Sequence, residues 1–365
     1  MIYYRRGAEL VRWLTRARLL IRYRLVSPFS LGLGGSAPGL AHAGELRVDV
    51  ILGDEERLAM LRAEARRGLT ALPKQLPPKW FYDERGSTLF ERITELPEYY
   101  LTRREREILL ARAGEIALLT RPASLVELGS GSSEKTRILL DALTNGGSLR
   151  RFTPFDVCMP ALEQAGAALV RDYRGLEVHG VVGDFHLHVA HLPPGGGRRM
   201  VAFLGSTIGN FDVAERATFL RSLRRALAPG DFFLLGADLL KDRRRLEAAY
   251  DDAAGVTAAF NKNMLRVLNN DLGANFDEDL FDHVARFDAD RQLMDMRLRA
   301  RSGHAVSVQA LGLKVSFEPG EEMRTEISTK FSRAGLEREL AAAGFGLCRF
   351  WTDRAGDFSL SLWSA

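Results

Sequence analysis

The sequence predicts an α/β protein: a Rossmann-like parallel sheet with helices on both faces, joined to a second, α+β unit. Three observations predict it. Short apolar runs near 124–128, 152–157, 178–182, 200–204 and 232–236 alternate with helical patterns, which is how βαβ units read in a sequence. The first run, Ser124 to Leu128, turns through Gly129 and Gly131 into a helix with Thr136, Leu139, Leu140 and Leu143 at helical spacing. After Lys241 the pattern changes to a long helix and short alternating strands, as an inserted antiparallel unit would.

The 365 residues are 46% hydrophobic and 27% charged, the composition of a globular chain. No apolar run reaches the ~18–20 residues that a membrane span needs. The net charge of +4 is unevenly placed. Residues 1–44 hold seven arginines and one acid, Glu9, so the rest of the chain is slightly acidic and shows no footprint for nucleic acid. The 1–44 segment is expected to be a disordered basic extension, because its arginines interrupt any signal-like apolar centre. Cys158 and Cys348 have no metal-type spacing and read as reduced thiols of a cytoplasmic protein. His186, His188 and His191 lie close together, but no cysteine completes a zinc site, so a solvated loop and no metal are expected.

From Glu45 the chain reads as folded. Asp54 to Leu69 is a helix with Leu58, Leu61, Ala65 and Leu69 on one face. Two aromatic loops follow, Leu76 to Asp83 and Leu96 to Arg103. Trp80 and Phe81 suit the core, whereas Tyr82 and Tyr99 suit either the core or a pocket wall. The glycine turn then brings backbone N–H groups to a helix N-terminus, although Glu134 stands where a third glycine would complete G-x-G-x-x-G. Asp156 ends the second strand about 25 residues on, where an acid can accept from both hydroxyls of a ribose. Gly183-Asp184-Phe185 follows the third strand, a carboxylate for an adenine amine and a ring for its face. Together these argue for a nucleoside cofactor along the carboxyl edge of the sheet.

The next helix, with Phe219, Leu220, Leu223 and Leu227 inside, stops at Pro229-Gly230. Before it, Leu204 to Asn210 is a polar glycine loop suited to a substrate's polar atoms. A long helix is expected from Arg244 to Leu268, containing Tyr250 and Gly255. Strands are expected at 292–300, 305–308, 311–317 and 323–331. In the last, period 2 puts Glu326 and Ser328 on one face. That face is either solvated, or inward with a ligand meeting the carboxylate. Runs at 346–351 and 357–363 could close the sheet as an antiparallel pair.

The segments Pro78-Lys79-Trp80-Phe81-Tyr82-Asp83, Leu96-Pro97-Glu98-Tyr99-Tyr100, Glu127-Leu128-Gly129-Ser130-Gly131, Phe203 to Asn210 and Tyr250 to Thr257 resemble those of the histidine-specific S-adenosylmethionine-dependent methyltransferases. The likeness runs from about residue 45 to the end. It implies a class I methyltransferase domain over 104–240 with 331–365. It also implies a substrate-binding domain over 45–103 with 241–330. S-adenosyl-L-methionine would be the methyl donor, L-histidine the small-molecule substrate, and a monomer without metal, nucleic acid or membrane partner is expected. Gly129, Lys135, Asp156, Asp184 and Phe185 match the cofactor positions. Tyr99, Asn210 and Tyr250 match the head-group positions, Glu326 and Ser328 the imidazole positions, with Tyr82, Gly205 and Met296 nearby. The implied reaction is trimethylation of the histidine α-amino group to hercynine, for ergothioneine biosynthesis. Methylation of a tryptophan derivative, a nicotinamide-dependent dehydrogenase and a non-catalytic cofactor-binding subunit are the alternatives. The absent third glycine and the Gly-Asp-Phe segment oppose the dehydrogenase, and Glu326 favours imidazole over indole.

Overall fold

The expected apolar runs form the centre of one ten-stranded sheet in the computed structural model, which describes residues 10–14, 19–25, 45–193 and 196–365. Strands β1 (Leu10–Leu14), β2 (Leu19–Leu25) and β3 (Glu45–Val50) come first. Helices α1 (Asp54–Thr70), α2 (Glu84–Glu95) and α3 (Leu101–Thr120) follow. The alternating segment begins with β4 (Ser124–Leu128), α4 (Thr136–Asn145), β5 (Arg151–Asp156) and α5 (Met159–Asp172). It continues with β6 (Glu177–Val182), a short α6 (Phe185–His188), β7 (Arg199–Phe203), α7 (Val213–Ala226) and β8 (Phe232–Asp238). Next come α8 (Arg243–Tyr250), α9 (Val256–Leu272), β9 (Phe281–Asp288) and β10 (Leu293–Ala300). Then β11 (His304–Val308), β12 (Leu313–Phe317) and β13 (Glu322–Thr329) complete the inserted unit. The chain closes with α10 (Arg333–Ala342), β14 (Gly346–Thr352) and β15 (Phe358–Ser364).

The sheet order is β1-β2-β3-β6-β5-β4-β7-β8-β15-β14. Strands β2 to β8 run parallel, and β15 is antiparallel to both β8 and β14. The order reverses at β4, which lies between β5 and β7, so a crevice opens at the carboxyl ends there. Both faces of the sheet are covered. Leu125, Phe152, Val178, Met200 and Leu234 pack on one side, with Leu139 and Leu162 from the helices. Val126, Phe155, Val181, Val201 and Phe233 pack on the other, with Phe219, Leu223 and Leu336. Alternate residues of each strand thus serve opposite cores, which is why the runs read as continuously apolar.

The second unit is a three-stranded antiparallel sheet, β13-β10-β9, with the β11-β12 hairpin beside it. Its two stretches of chain are tied by backbone bonds from Leu76 N–H to Arg324 C=O (2.8 Å) and from Arg324 N–H to Lys74 C=O (2.9 Å). It is stitched to the main sheet where Phe331 N–H meets Asp238 C=O (2.8 Å) and Leu240 N–H meets Phe331 C=O (2.9 Å).

Three expectations are corrected. The 1–44 extension is not a tail throughout. In β2, period 2 alternates Ile21 and Tyr23 with Arg22 and Arg24; Ile21 is fully buried, Arg22 pairs with Glu45, and the strand runs parallel to β3. The rest of the extension, beyond 10–14 and 19–25, lies outside the described residues. The segment 45–50 is a strand of the main sheet, paired with β6, and not part of the second unit. The long helix from Arg244 is two helices. Gly255 takes φ +71°, and the Asp252 carboxylate accepts from the N–H groups of Val256 (2.9 Å) and Thr257 (2.7 Å), starting α9 afresh.

Candidate active site

The first half of the site is the crevice at the ends of β4, β5 and β6. Gly129 and Gly131 take φ +67° and +48°, the left-handed region that glycine reaches without strain. A Cβ at Gly131 would meet nothing within 4 Å, so the turn is open on that side. Asp156 braces the turn. Its Oδ2 accepts from Gly131 N–H and its Oδ1 from Cys158 N–H, both at 2.9 Å. Burial raises its pKa, and these N–H groups act in the opposite direction. Glu127 lies beneath the same turn and accepts from the hydroxyls of Thr136 and Ser133. Burial pushes it up to about 8.

Phe185 walls this turn, for a Cβ on Gly129 would sit 3.5 Å from its ring. Asp184 is buried and already engaged. Its Oδ1 accepts from His186 N–H at 2.9 Å and its Oδ2 from Lys79 Nζ at 2.7 Å. Burial alone would raise its pKa, but the Lys79 ammonium outweighs that and holds it below the usual carboxylate range. Lys79 also meets Glu64 at 2.9 Å, and Glu64 accepts from Trp80 Nε1 at 2.7 Å. The Lys79-Trp80 pair thus fastens the first aromatic loop to the cofactor edge, and Trp80 and Phe81 are core as expected. Lys135 pairs with Glu105, which is fully buried and also accepts from Gly205 N–H at 2.8 Å. One carboxylate therefore joins the glycine-turn helix to the loop after β7.

The second half is a cavity beside that loop. Tyr82, Tyr99, Gly205, Asn210, Tyr250, Met296, Glu326 and Ser328 all line it. They come from the loops before α2 and α3, the loop after β7, the end of α8, and strands β10 and β13. Phe90 and Phe260 complete an aromatic wall, with ring centroids 5.5 Å from Tyr82 to Phe260 and 6.2 Å from Phe90 to Tyr99. Tyr99 and Tyr250 stand edge to face at 6.4 Å. The Asn210 loop rests directly on β13: a Cβ at Gly209 would come within 2.8 Å of Thr329 C=O.

Polar groups converge here without partners. Among the described residues, the Glu326 carboxylate, the Tyr82 and Tyr99 hydroxyls and the Asn210 amide make no side-chain hydrogen bond to another residue. Burial pushes Glu326 up to about 7, with the Lys330 charge opposing the rise. Burial likewise raises the phenols of Tyr82, Tyr99 and Tyr250 well above their ordinary value, so all three are neutral. A site with an unmet carboxylate and unmet hydroxyls calls for a ligand with its own N–H groups and acceptors.

Sequence reasoning missed Lys330 and Asp238. Lys330 Nζ donates to Tyr250 Oη (2.8 Å) and Ser328 Oγ (3.0 Å) and pairs with Asp238 (2.9 Å). Continuing period 2 from Glu326 and Ser328 to residue 330 would have found it. Asp238 ends β8 on the carboxyl edge, the position where acids were already sought on β5 and after β6. Among the described residues, no group of three or more His, Cys, Asp or Glu is arranged to hold a metal, and no helix is long and apolar enough to cross a membrane.

A family model described as histidine-specific methyltransferase, SAM-dependent, matches residues 61–365. Histidine N-alpha-methyltransferase of Mycolicibacterium smegmatis is 56% identical over 302 residues, which is 83% of this chain and 94% of that one. The protein of the same name from Mycobacterium tuberculosis is 53% identical over 319 residues, 87% of this chain and 99% of that one. Ergothioneine biosynthesis protein 1 of Neurospora crassa is 34% identical over 284 residues, 73% of this chain and 31% of that protein. With a family match across most of its length and relatives above half identity, the chain belongs to the histidine-specific, S-adenosylmethionine-dependent methyltransferases.

Proposed function

We propose that this chain methylates the α-amino nitrogen of L-histidine three times, giving hercynine for ergothioneine biosynthesis. The observation that carries this reading is Glu326, a carboxylate without a hydrogen-bonding partner among the described residues, on the wall of a cavity beside the cofactor crevice. An imidazole N–H answers it, and an indole or phenyl ring answers it less well or not at all. The two relatives above half identity act, by name, on the histidine α-nitrogen.

The crevice fits an adenosyl group: an open glycine turn, a carboxylate at its base and an aromatic wall. Gly129, Gly131, Asp156 and Phe185 would hold it, with Asp184 and Lys135 at its ends. S-adenosylmethionine, when bound, supplies a methyl activated by a sulfonium. Everything else falls to the protein's side chains. Tyr99, Asn210 and Tyr250 fix the head group so that the neutral amine faces the crevice, and such positioning accounts for much of the rate in a displacement of this kind. Glu326 holds the ring, with Ser328 beside it, and so sets the direction of the amine. Tyr82 and its aromatic neighbours offer π faces to an amine that gains fixed positive charge as methyls accumulate. The reaction is set in the cytoplasm, in keeping with the free thiols of Cys158 and Cys348.

The test is transfer of labelled methyl groups from S-adenosylmethionine to histidine, tryptophan and other amino acids, with products resolved by mass. Histidine should be preferred and should end three methyls heavier. Preference for an aromatic amine without an imidazole would overturn the reading.

A further inference from the structure

Behind the cavity wall lies a buried ionic cluster. Asp238 and Lys330 are both fully buried, 2.9 Å apart. The same carboxylate meets Lys241 Nζ at 2.5 Å and accepts from the Tyr100 hydroxyl at 2.8 Å. Two lysines on one carboxylate leave one positive charge over. Lys241 directs its other N–H groups away from the cavity, to Leu239 C=O (2.6 Å) and Tyr100 Oη (2.8 Å). Lys330 directs its own at the wall, to Tyr250 Oη and Ser328 Oγ.

These three groups form a triangle, because the Tyr250 and Ser328 hydroxyls are themselves 2.8 Å apart. An ammonium can only donate, so both oxygens accept from Lys330. One hydroxyl proton then closes the third side. The other proton has no acceptor within the triangle, and both side chains line the cavity. The buried charge therefore reaches the cavity as a polarised O–H donor, a partner for an anion. Glu326, on the same strand, supplies the opposite charge. The wall is dipolar, as a molecule with a carboxylate and a ring N–H requires.

We propose that Lys330 is a specificity-determining positioning residue. Acting through Tyr250 and Ser328, it makes the cavity select a substrate that carries an α-carboxylate over the same amine without one. The inference rests on the histidine reading of the site and deepens it.

The test is calorimetric binding of histidine and of histamine to the full chain with S-adenosylhomocysteine present. Lys330→Met is a clean deletion, because Asp238 keeps Lys241 and Tyr100 and the aliphatic stem is largely retained. In the wild type, histidine should bind about 10- to 150-fold more tightly than histamine, the range of one charge-assisted hydrogen bond. In Lys330→Met that ratio should fall toward one, through loss of histidine affinity, while S-adenosylhomocysteine binds as before. If Lys330→Met does not melt cooperatively, Lys330→Gln replaces it, and its ratio must also fall. An equal loss for both ligands in a folded variant, an unchanged ratio, or a wild type without preference would each overturn the role of Lys330. A wild type that binds no histidine at all would overturn the functional reading along with it.

Discussion

Replacing Glu326 with glutamine should make the ligand-free protein more stable and a much poorer enzyme. The carboxylate has no hydrogen-bonding partner among the described residues, and burial pushes its pKa up to about 7. A carboxyl displaced that far from the ordinary value of ~4.3 costs the fold about 3.5 kcal/mol when ionised. The sign follows from the direction of the shift. The folded state prefers the protonated form, so the penalty is absent below the unfolded pKa, grows as pH rises towards 7, and is complete above it. Glutamine keeps the shape and removes the charge, but brings an amide with its own unmet bonds, leaving a gain of about 1–2 kcal/mol at pH 8 and none near pH 4. Urea unfolding without ligand at the two pH values measures this. Catalysis moves the other way. Loss of a buried charge-assisted contact to the imidazole should cost about 2–4 kcal/mol, or roughly 30- to 1000-fold in kcat/KM for histidine. Tryptophan should lose less, and S-adenosylmethionine affinity should stay constant. A variant that is no more stable at pH 8, or one in which histidine and tryptophan fall by one factor, would refute the reasoning.

Asp156→Ala should weaken S-adenosylmethionine binding by about 100-fold or more in calorimetry, since it removes the two ribose contacts proposed for it and frees the Gly131 and Cys158 N–H groups. Unchanged affinity would mean that the ribose lies elsewhere. Removing residues 1–44 uncovers the edge of β3 and the fully buried Ile21 contact, and should lower unfolding stability by about 2 kcal/mol. It should leave kcat/KM for histidine intact, because none of the described cavity-lining residues lies there; equal stability would show that β2 contributes nothing to the fold. Gly209→Ala forces a Cβ to within 2.8 Å of Thr329 C=O and should shift the Asn210 loop from β13. Overpacking of this kind costs about 1–3 kcal/mol, so the histidine KM should rise without change in cofactor affinity. A KM like that of the wild type would show that this contact does not position Asn210.

Much of the main sheet was legible because its strands are buried on both faces and bounded by glycine, proline and helical patterns. β3 and β2 were not. Glu-Leu-Arg-Val-Asp-Val and Leu-Leu-Ile-Arg-Tyr-Arg-Leu alternate apolar and charged residues, as half-covered outer strands do, and an arginine count hides that period. The break at 251–255 was also hidden, since apolar residues on both sides of it keep a helical spacing and only Gly255 marks it. In the site, the cavity residues followed from motif resemblance and not from spacing: Tyr82 and Glu326 are 244 residues apart in the chain and meet only because two sheets are stitched at Asp238 and Phe331. The engagement of Asp184 by Lys79 has no sequence signal either, because a lysine beside a tryptophan reads equally well as solvated.

The stitching has a consequence for how the molecule comes apart. The second unit is made from two separate stretches of chain, and the bonds between Lys74, Leu76 and Arg324 hold those stretches to each other. The chain leaves the main sheet after β3 and again after β8, and it returns each time. No single cut frees either unit as a self-contained piece. An excised sheet would lack the loop that anchors Asp184, and an excised second unit would lack the carboxylate that Lys330 needs. Damage to either half therefore removes the whole pocket at once.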